Sequence, residues 1–180
     1  MLVKEADFVI SPASKRILLA FSSPSTPKKA MHLLCVRKIK FQIYVNAGLL
    51  KCLNPEEKRA RFYVLTEKAR KLLSLPPSDV DLHKDWECIG WILSSPKMKL
   101  TVLRFVDERK LCSEEIRMRA TQFNWHLSRS SMKDILKELV EKHLVDTELL
   151  EGIRFYWIAP YGQKIKDELA VIEPLSSAIS

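Results

Sequence analysis

Apolar positions fall into two sets of short periodic runs separated by a proline-rich stretch. In the first set, Ser11 followed by Pro12 predicts a helix start, because a serine oxygen accepts a free first-turn N–H and proline's fixed φ suits the first helical position. Ile17, Leu18 and Phe21 mark the buried stripe of that helix. Thr26-Pro27 repeats the chemistry and predicts a second short helix through Leu33, with a third over Val36 to Ala47. Gly48 ends the third as a left-handed cap. Leu49 to Leu53, Asn54 to Ala60 and Arg61 to Leu65 then read as strand, turn and strand, a hairpin with a basic tip. Thr66 caps a closing helix that runs to about Leu73.

The second set has clearer helical signals. A leading helix over Asp85 to Leu93, with Trp86, Ile89, Gly90 and Trp91, reads as an interdomain or dimer-packing element. It is followed by a helix over Pro96 to Asp107, by Ser113 capping Glu114 to Ala120, and by Ser128 capping a long helix to His143. In the long helix Met132, Ile135, Leu136, Leu139 and Val140 recur at three- and four-residue steps, which leaves Arg129, Ser130, Lys133 and Lys137 on other faces. Leu144 to Thr147 and Arg154 to Ala159 predict strands flanking a short acidic tip at Glu148 to Gly152.

The two sets echo each other. Ser11-Pro12 through Phe21 matches Ser95-Pro96 through Phe105 at an offset of 84 residues, and Arg61-Phe62-Tyr63 matches Arg154-Phe155-Tyr156 at 93. Two landmarks in the same order imply two copies of one unit of roughly 70–85 residues. Leu75 to Asp81, with Pro76 and Pro77, cannot continue a helix and marks the linker. The expected organisation is a domain over 1–75, a linker over 76–82 and a domain over 83–180, in a mainly α chain with small β-hairpins, of the α+β class.

Charge sharpens this picture. The formal net charge is +8, but residues 1–78 hold 15 Lys and Arg against 5 Asp and Glu, a net of +10, while residues 79–180 hold 15 against 17, a net of −2. The leading half is the one that attracts a polyanion. No apolar run reaches the about 18 residues of a membrane span. Met1 to Ile10 carries Lys4, Glu5 and Asp7 and has no secretory cleavage pattern, so a soluble cytoplasmic protein is expected. Asn and Gln, at three each, with 29% charged residues, lean towards a thermophile's composition.

Candidate chemistry is sparse. Cys35, Cys52, Cys88 and Cys112 are widely spaced without a Cys-x-x-Cys pair, and read as free thiols. His32, His83, His126 and His143 have no ligand pairing, so no metal or cofactor is expected. There is no glycine-rich phosphate loop and no nucleophile elbow, which argues against an enzyme and predicts no magnesium-dependent DNA degradation. Trp86, Trp91, Phe123, Trp125 and Trp157 are expected as core or interface anchors rather than base-stacking platforms.

The stretch NAGLLKCLNPEEKRARFYVLTEKARKLL, Asn46 to Leu73, resembles the end of the recognition helix, the wing and the last helix of winged-helix regulators of the MarR and ArsR type from archaea and bacteria. The second copy, LCSEEIRMRA from Leu111 and LSRSSMKDILKELVEKHLV from Leu127, resembles the helix-turn-helix core of the same superfamily. The resemblance implies two tandem winged-helix domains and a sequence-specific transcriptional regulator bound to double-stranded DNA, with a recognition helix in the major groove and a basic wing on phosphates. In the first copy the candidate contacts are Lys28, Lys29, Lys38, Lys40 and Gln42, with Lys58, Arg59 and Arg61 in the wing. In the second they are Arg129, Ser130, Lys133 and Lys137, supported by Arg117, Arg119 and Gln122.

The chain departs from the pattern in three places: Val36 to Ala47 is unusually apolar, His143 stands where glycine is usual, and the second hairpin tip is acidic. Winged helices also serve as protein-interaction scaffolds in transcription or chromosome-maintenance complexes, a role that suits the near-neutral second half. A homodimer on a palindromic site and a pseudo-symmetric monomer are both open readings.

Overall fold

The computed structural model describes residues 10–123 and 125–172. Met1 to Val9, on which the reading of the N-terminus rests, lies outside the described residues, as does the end of the second expected domain beyond Ile172. The protein is mainly helical with two small antiparallel sheets, an α+β chain. It divides into two compact units, Met1–Glu87 and Cys88–Ser180. Among the described residues no helix is long and apolar enough to cross a membrane.

Unit 1 runs α1 (Pro12–Leu19), α2 (Pro27–Leu33), α3 (Gln42–Asn46), β1 (Leu50–Cys52), β2 (Tyr63–Leu65) and α4 (Glu67–Leu72). Three starts follow one recipe, in which the Ser11, Thr26 and Thr66 hydroxyls accept the N–H groups of Ser14, Lys29 and Ala69. The hairpin pairs Leu50 with Leu65 and Cys52 with Tyr63, and Ser25 forms an isolated bridge to Tyr63. The core beneath it holds Leu18, Phe21, Ala30, Tyr44, Leu49 and Leu65. Arg70 is buried and charged but has no carboxylate beside it: its guanidinium donates to the carbonyls of Pro76 and Ser22, pinning α4 to the chain on either side.

The third helix is shorter than the Val36 to Ala47 expected. Cys35 takes a left-handed φ of 54° and the Val36 N–H closes back on the Met31 carbonyl, so α2 ends in a tight reverse turn. Ile39 is buried, and Phe41 sets its ring 5.0 Å from that of Tyr63. Residues 36–40 form no helix, and Phe41, itself in helical backbone at φ −65° and ψ −24°, caps α3, whose first residue is Gln42.

Unit 2 takes most of α5 (Trp86–Leu93), which the division crosses, and continues through a π-helical turn (Pro96–Leu100), α6 (Thr101–Phe105), β3 (Leu111–Cys112), α7 (Ser113–Gln122), α8 (Arg129–Glu141), β4 (Val145–Leu150), β5 (Ile153–Ile158) and α9 (Pro160–Ile172). The sheet order is β3-β5-β4. Ser113 is not the cap of α7 as expected. It is the first helical residue, and Cys112 stands at the cap with its N–H on the Glu115 carboxylate, 2.7 Å away. The second hairpin is longer than expected and turns on two residues only, Glu151 and Gly152, both with positive φ, 49° and 80°. Leu149, Leu150 and Ile153 are therefore strand residues, and all three are exposed.

In both units two helices lead into a hairpin and a closing helix, with an isolated bridge at Ser25 in unit 1 where unit 2 has β3, and several hydrogen bonds correspond. The Gly48 and His143 N–H groups donate to Val45 and Val140; those of Leu49 and Leu144 donate to Tyr44 and Leu139. Past each hairpin, the Thr66 and Ala159 N–H groups return to the carbonyls of Leu49 and Leu144, at 3.1 Å in both units. Leu65 donates to Phe21 and Ile158 to Asp107, tying the second strand to the end of the first helix.

Two glycines separate strain from space. Gly48, at φ +68°, has nothing within 4 Å of an added Cβ, so Gly48→Ala should cost only the left-handed backbone, about 1 kcal/mol. On Gly162 an added Cβ would lie 1.9 Å from the Leu144 carbonyl oxygen, so α9 cannot keep its seat. Gly162→Ala should cost about 3 kcal/mol or more, and urea unfolding of the two variants should separate them clearly.

Candidate nucleic-acid interface

The candidate contacts of unit 1 fall on three segments. Lys28 and Lys29 stand in the first turn of α2, Lys38 and Lys40 in the irregular stretch before α3, and Gln42 opens α3. Lys58 and Arg59 sit in the loop between β1 and β2. All seven side chains are exposed. Among the described residues no ion pair joins any Lys or Arg of residues 10–78 to a carboxylate.

The loop carrying Lys58 and Arg59 is built from the inside. Asn54 is fully buried; its Nδ2 donates to the Ala60 carbonyl and its Oδ1 accepts the Phe62 N–H at 2.6 Å. Ala60 takes a left-handed φ of 49° to close the turn. Arg61 lies across the outside, with its guanidinium on the carbonyls of Glu57 and Pro55. Arg61 is thus a brace of the loop, with two of its donors already engaged, whereas Lys58 and Arg59 have no such ties. The loop is also held from behind: Phe62 packs on Trp86 at 5.5 Å between ring centroids, and the Glu87 carboxylate accepts the Glu56 N–H. Trp86 is buried, as an anchor should be.

Unit 2 treats its cations differently. Arg117 grips both oxygens of Glu114, and Arg129 approaches the same carboxylate at 3.4 Å. The hydrogen bond from Arg117 holds the Glu114 carboxyl down to about 2. Arg119 binds Asp107, whose carboxyl is held well below its ordinary range chiefly by the Arg109 guanidinium. Lys137 stands 3.9 Å from Glu141. Ser113, Glu114, Arg117, Arg129, Met132 and Lys133 line one shallow pocket between α7 and α8. Of the seven candidates here, Gln122, Ser130 and Lys133 make no described ion pair. Met132, Ile135, Leu136 and Leu139 are buried, as the periodicity requires, and Arg129, Ser130, Lys133 and Lys137 are exposed.

The aromatics vary. Trp91 is half-buried under Lys99, whose Nζ lies 3.8 Å from the ring centroid, and Trp157 lies under Lys110 at 5.0 Å. Phe123 is not a buried anchor: it is 65% exposed, with one side against Phe105 at 5.2 Å. None of the four cysteines forms a disulfide, and among the described residues no three His, Cys, Asp or Glu side chains converge to hold a metal.

Sequence reasoning passed over Asn46 and Ile43. Asn46 Oδ1 accepts a hydrogen bond from Gln42 Nε2 at 3.0 Å, and Ile43 is 56% exposed beside them. The four-residue spacing of two amides was the available signal, but it was hidden inside an apolar segment. No protein-family model matches this chain, and no curated protein is significantly similar to it.

Two measurements probe these arrangements. Asn54→Ala strands a buried N–H and a carbonyl, and should lower stability by about 2 kcal/mol in urea unfolding. Arg117→Ala removes the main reason for the low Glu114 pKa. In the wild type the carboxylate stays charged, and its pairing with Arg117 intact, as pH falls past 4.5, and both are lost only near 2. Carboxyl NMR titration should find the variant's Glu114 moved back up towards 4.5.

Proposed function

We infer that this chain is a sequence-specific, duplex-DNA-binding transcriptional regulator built from two winged helix-turn-helix domains, without an enzymatic step of its own. The observation that carries this reading is the unequal use of cations in the two units. Among the described residues no lysine or arginine of residues 10–78 has a carboxylate partner, and all but the buried Arg70 face solvent; Arg70 and Arg61 hold backbone carbonyls. Unpaired exposed cations on one small body repel each other and lower their energy by meeting a phosphate lattice, with release of its counterions.

The order of elements supports the winged-helix part of the reading. In unit 2 the helix before the hairpin, α8, follows the shorter α7, in the manner of a recognition helix; in unit 1 the short α3 follows α2 across residues 34–41; and in each unit the hairpin stands where a wing would. The helix α8, thirteen residues long, spans about 20 Å and presents Arg129, Ser130, Lys133 and Lys137 outwards. It is the element with the length and side chains to read base edges, with Lys133 in no described ion pair, the Ser130 hydroxyl hydrogen-bonded to that of Ser128, and Arg129 held only loosely by Glu114. Arg117 and Arg119 are read here as supports that keep α7 in place.

A scaffold role has one specific observation in its favour. Leu149, Leu150 and Ile153 are exposed together at the end of the second hairpin, beside Glu148 and Glu151. An apolar, acidic tip repels phosphate and suits a protein surface.

Salt separates the two readings. Binding of the full chain to duplex DNA should weaken steeply as salt rises, with a log–log slope of about −0.9 for each phosphate neutralised. The charge reversal Lys28→Glu, Lys29→Glu, Lys58→Glu, Arg59→Glu avoids the loop brace Arg61. It should cut affinity by on the order of a hundred-fold and flatten the slope by about 3–4 units, measured by fluorescence anisotropy. Unchanged affinity and slope would reject the phosphate-gripping role of unit 1.

A further inference from the structure

On α3 the exposed side chains are Gln42, Ile43 and Asn46, while Tyr44 is buried and Val45 half-buried. None of the three is charged. Exposed Lys38 and Lys40, which have no carboxylate partner among the described residues, immediately precede them. This short face therefore combines neutral base-edge chemistry with cations suited to the flanking phosphates.

The geometry of the amides is specific. Gln42 Nε2 donates one hydrogen to Asn46 Oδ1 at 3.0 Å, which fixes the plane of the Gln42 amide. That leaves Gln42 with one outward N–H and a carbonyl oxygen. A donor beside an acceptor matches the N7 acceptor and N6 amino donor of adenine in the major groove; guanine offers two acceptors there and pairs best with a two-donor group such as Arg. Ile43, 56% exposed on the same short helix, offers only aliphatic surface, the complement of the thymine C5-methyl group.

Building on the duplex-binding reading above, we propose that α3 is a selector for A·T pairs, in which Gln42 reads adenine, Asn46 is the positioning residue that orients it, and Ile43 contacts the thymine methyl.

The test uses the full chain and short duplexes in anisotropy titrations: A·T only, the same duplex with uracil for thymine, G·C only, and inosine·cytosine only. Inosine·cytosine presents an A·T-like minor groove with a G·C-like major groove. Wild type should bind A·T tighter than G·C by on the order of ten-fold, and should treat inosine·cytosine as G·C. Uracil should weaken binding several-fold in the wild type and not in Ile43→Ala, an exposed position where folding is not at risk. Gln42→Ala should lose the adenine preference, and Asn46→Ala most of it, with the salt slope unchanged in both.

Equal, salt-dependent affinity for all four duplexes would overturn the A·T assignment and leave the duplex-binding reading standing. An inosine·cytosine duplex that behaves like A·T would overturn it too, since the preference would then come from the minor groove. Absence of salt-dependent binding to any duplex, with this face instead protected in a protein complex, would remove both.

Discussion

One backbone oxygen in each unit organises everything around it. The carbonyls of Leu49 and Leu144 follow directly on a left-handed residue, Gly48 or His143, and each accepts the N–H of the first residue after its hairpin. That single bond fixes where a helix ends, where the hairpin leaves and re-enters, and where the closing helix starts. It is worth only about 1 kcal/mol by itself. Its consequence is larger, because every exposed side chain of the preceding helix and of the hairpin takes its direction from that corner. In unit 2 the corner is also where Gly162 lets α9 approach the Leu144 carbonyl more closely than any Cβ would allow.

On this shared frame the two units spend charge in opposite ways. Asp107 and Glu114 each draw in two arginines, so the surface of α7 is largely neutralised from within. Such exposed pairs add little to stability. Their effect is on the surface field, which they flatten. In unit 1 the equivalent neutralisation is missing from the described residues, and the arginines that are engaged, Arg61 and Arg70, bond to carbonyl oxygens, which carry no net charge to cancel theirs. The positive field of residues 10–78 therefore survives folding.

Much of the frame could be read from the chain because it rests on local rules. The caps at Ser11, Thr26, Thr66 and Ser128 bond as hydroxyls before a first turn do, and the stripe of α8 is buried where its spacing says. The echo at an offset of 93 residues coincides with corresponding strand pairs at Leu65 and Ile158, while that at 84 places an α-helix start at Pro12 against a π-helical turn at Pro96 that lacks the serine cap. What escaped were features set by distant contacts. The expected third helix loses its first turns after the reverse turn at Cys35, Phe41 at the cap of α3 sets its ring against that of Tyr63, more than twenty residues on, and Arg61 lies across a loop whose carbonyls the buried Asn54 helps to place. Glu151 in left-handed backbone was unreadable as such, since only the glycine beside it announces a turn.

The difference between α3 and α8 follows from where each helix finds its burial. The helix α8 can run thirteen residues because its apolar side chains recur at helical spacing, so every added turn buries another one. In the corresponding stretch of unit 1 the apolar residues Ile39, buried, and Phe41, half-buried, come two apart, a spacing that does not continue a helical stripe. The helix that remains is only five residues long, so its outward face is narrow enough to be filled by one amide pair and one aliphatic side chain. A short helix with neutral side chains has little grip of its own. Any role it has in recognition depends on the lysines beside it, so charge and base-edge chemistry in unit 1 must act together, whereas α8 carries both on a single helix.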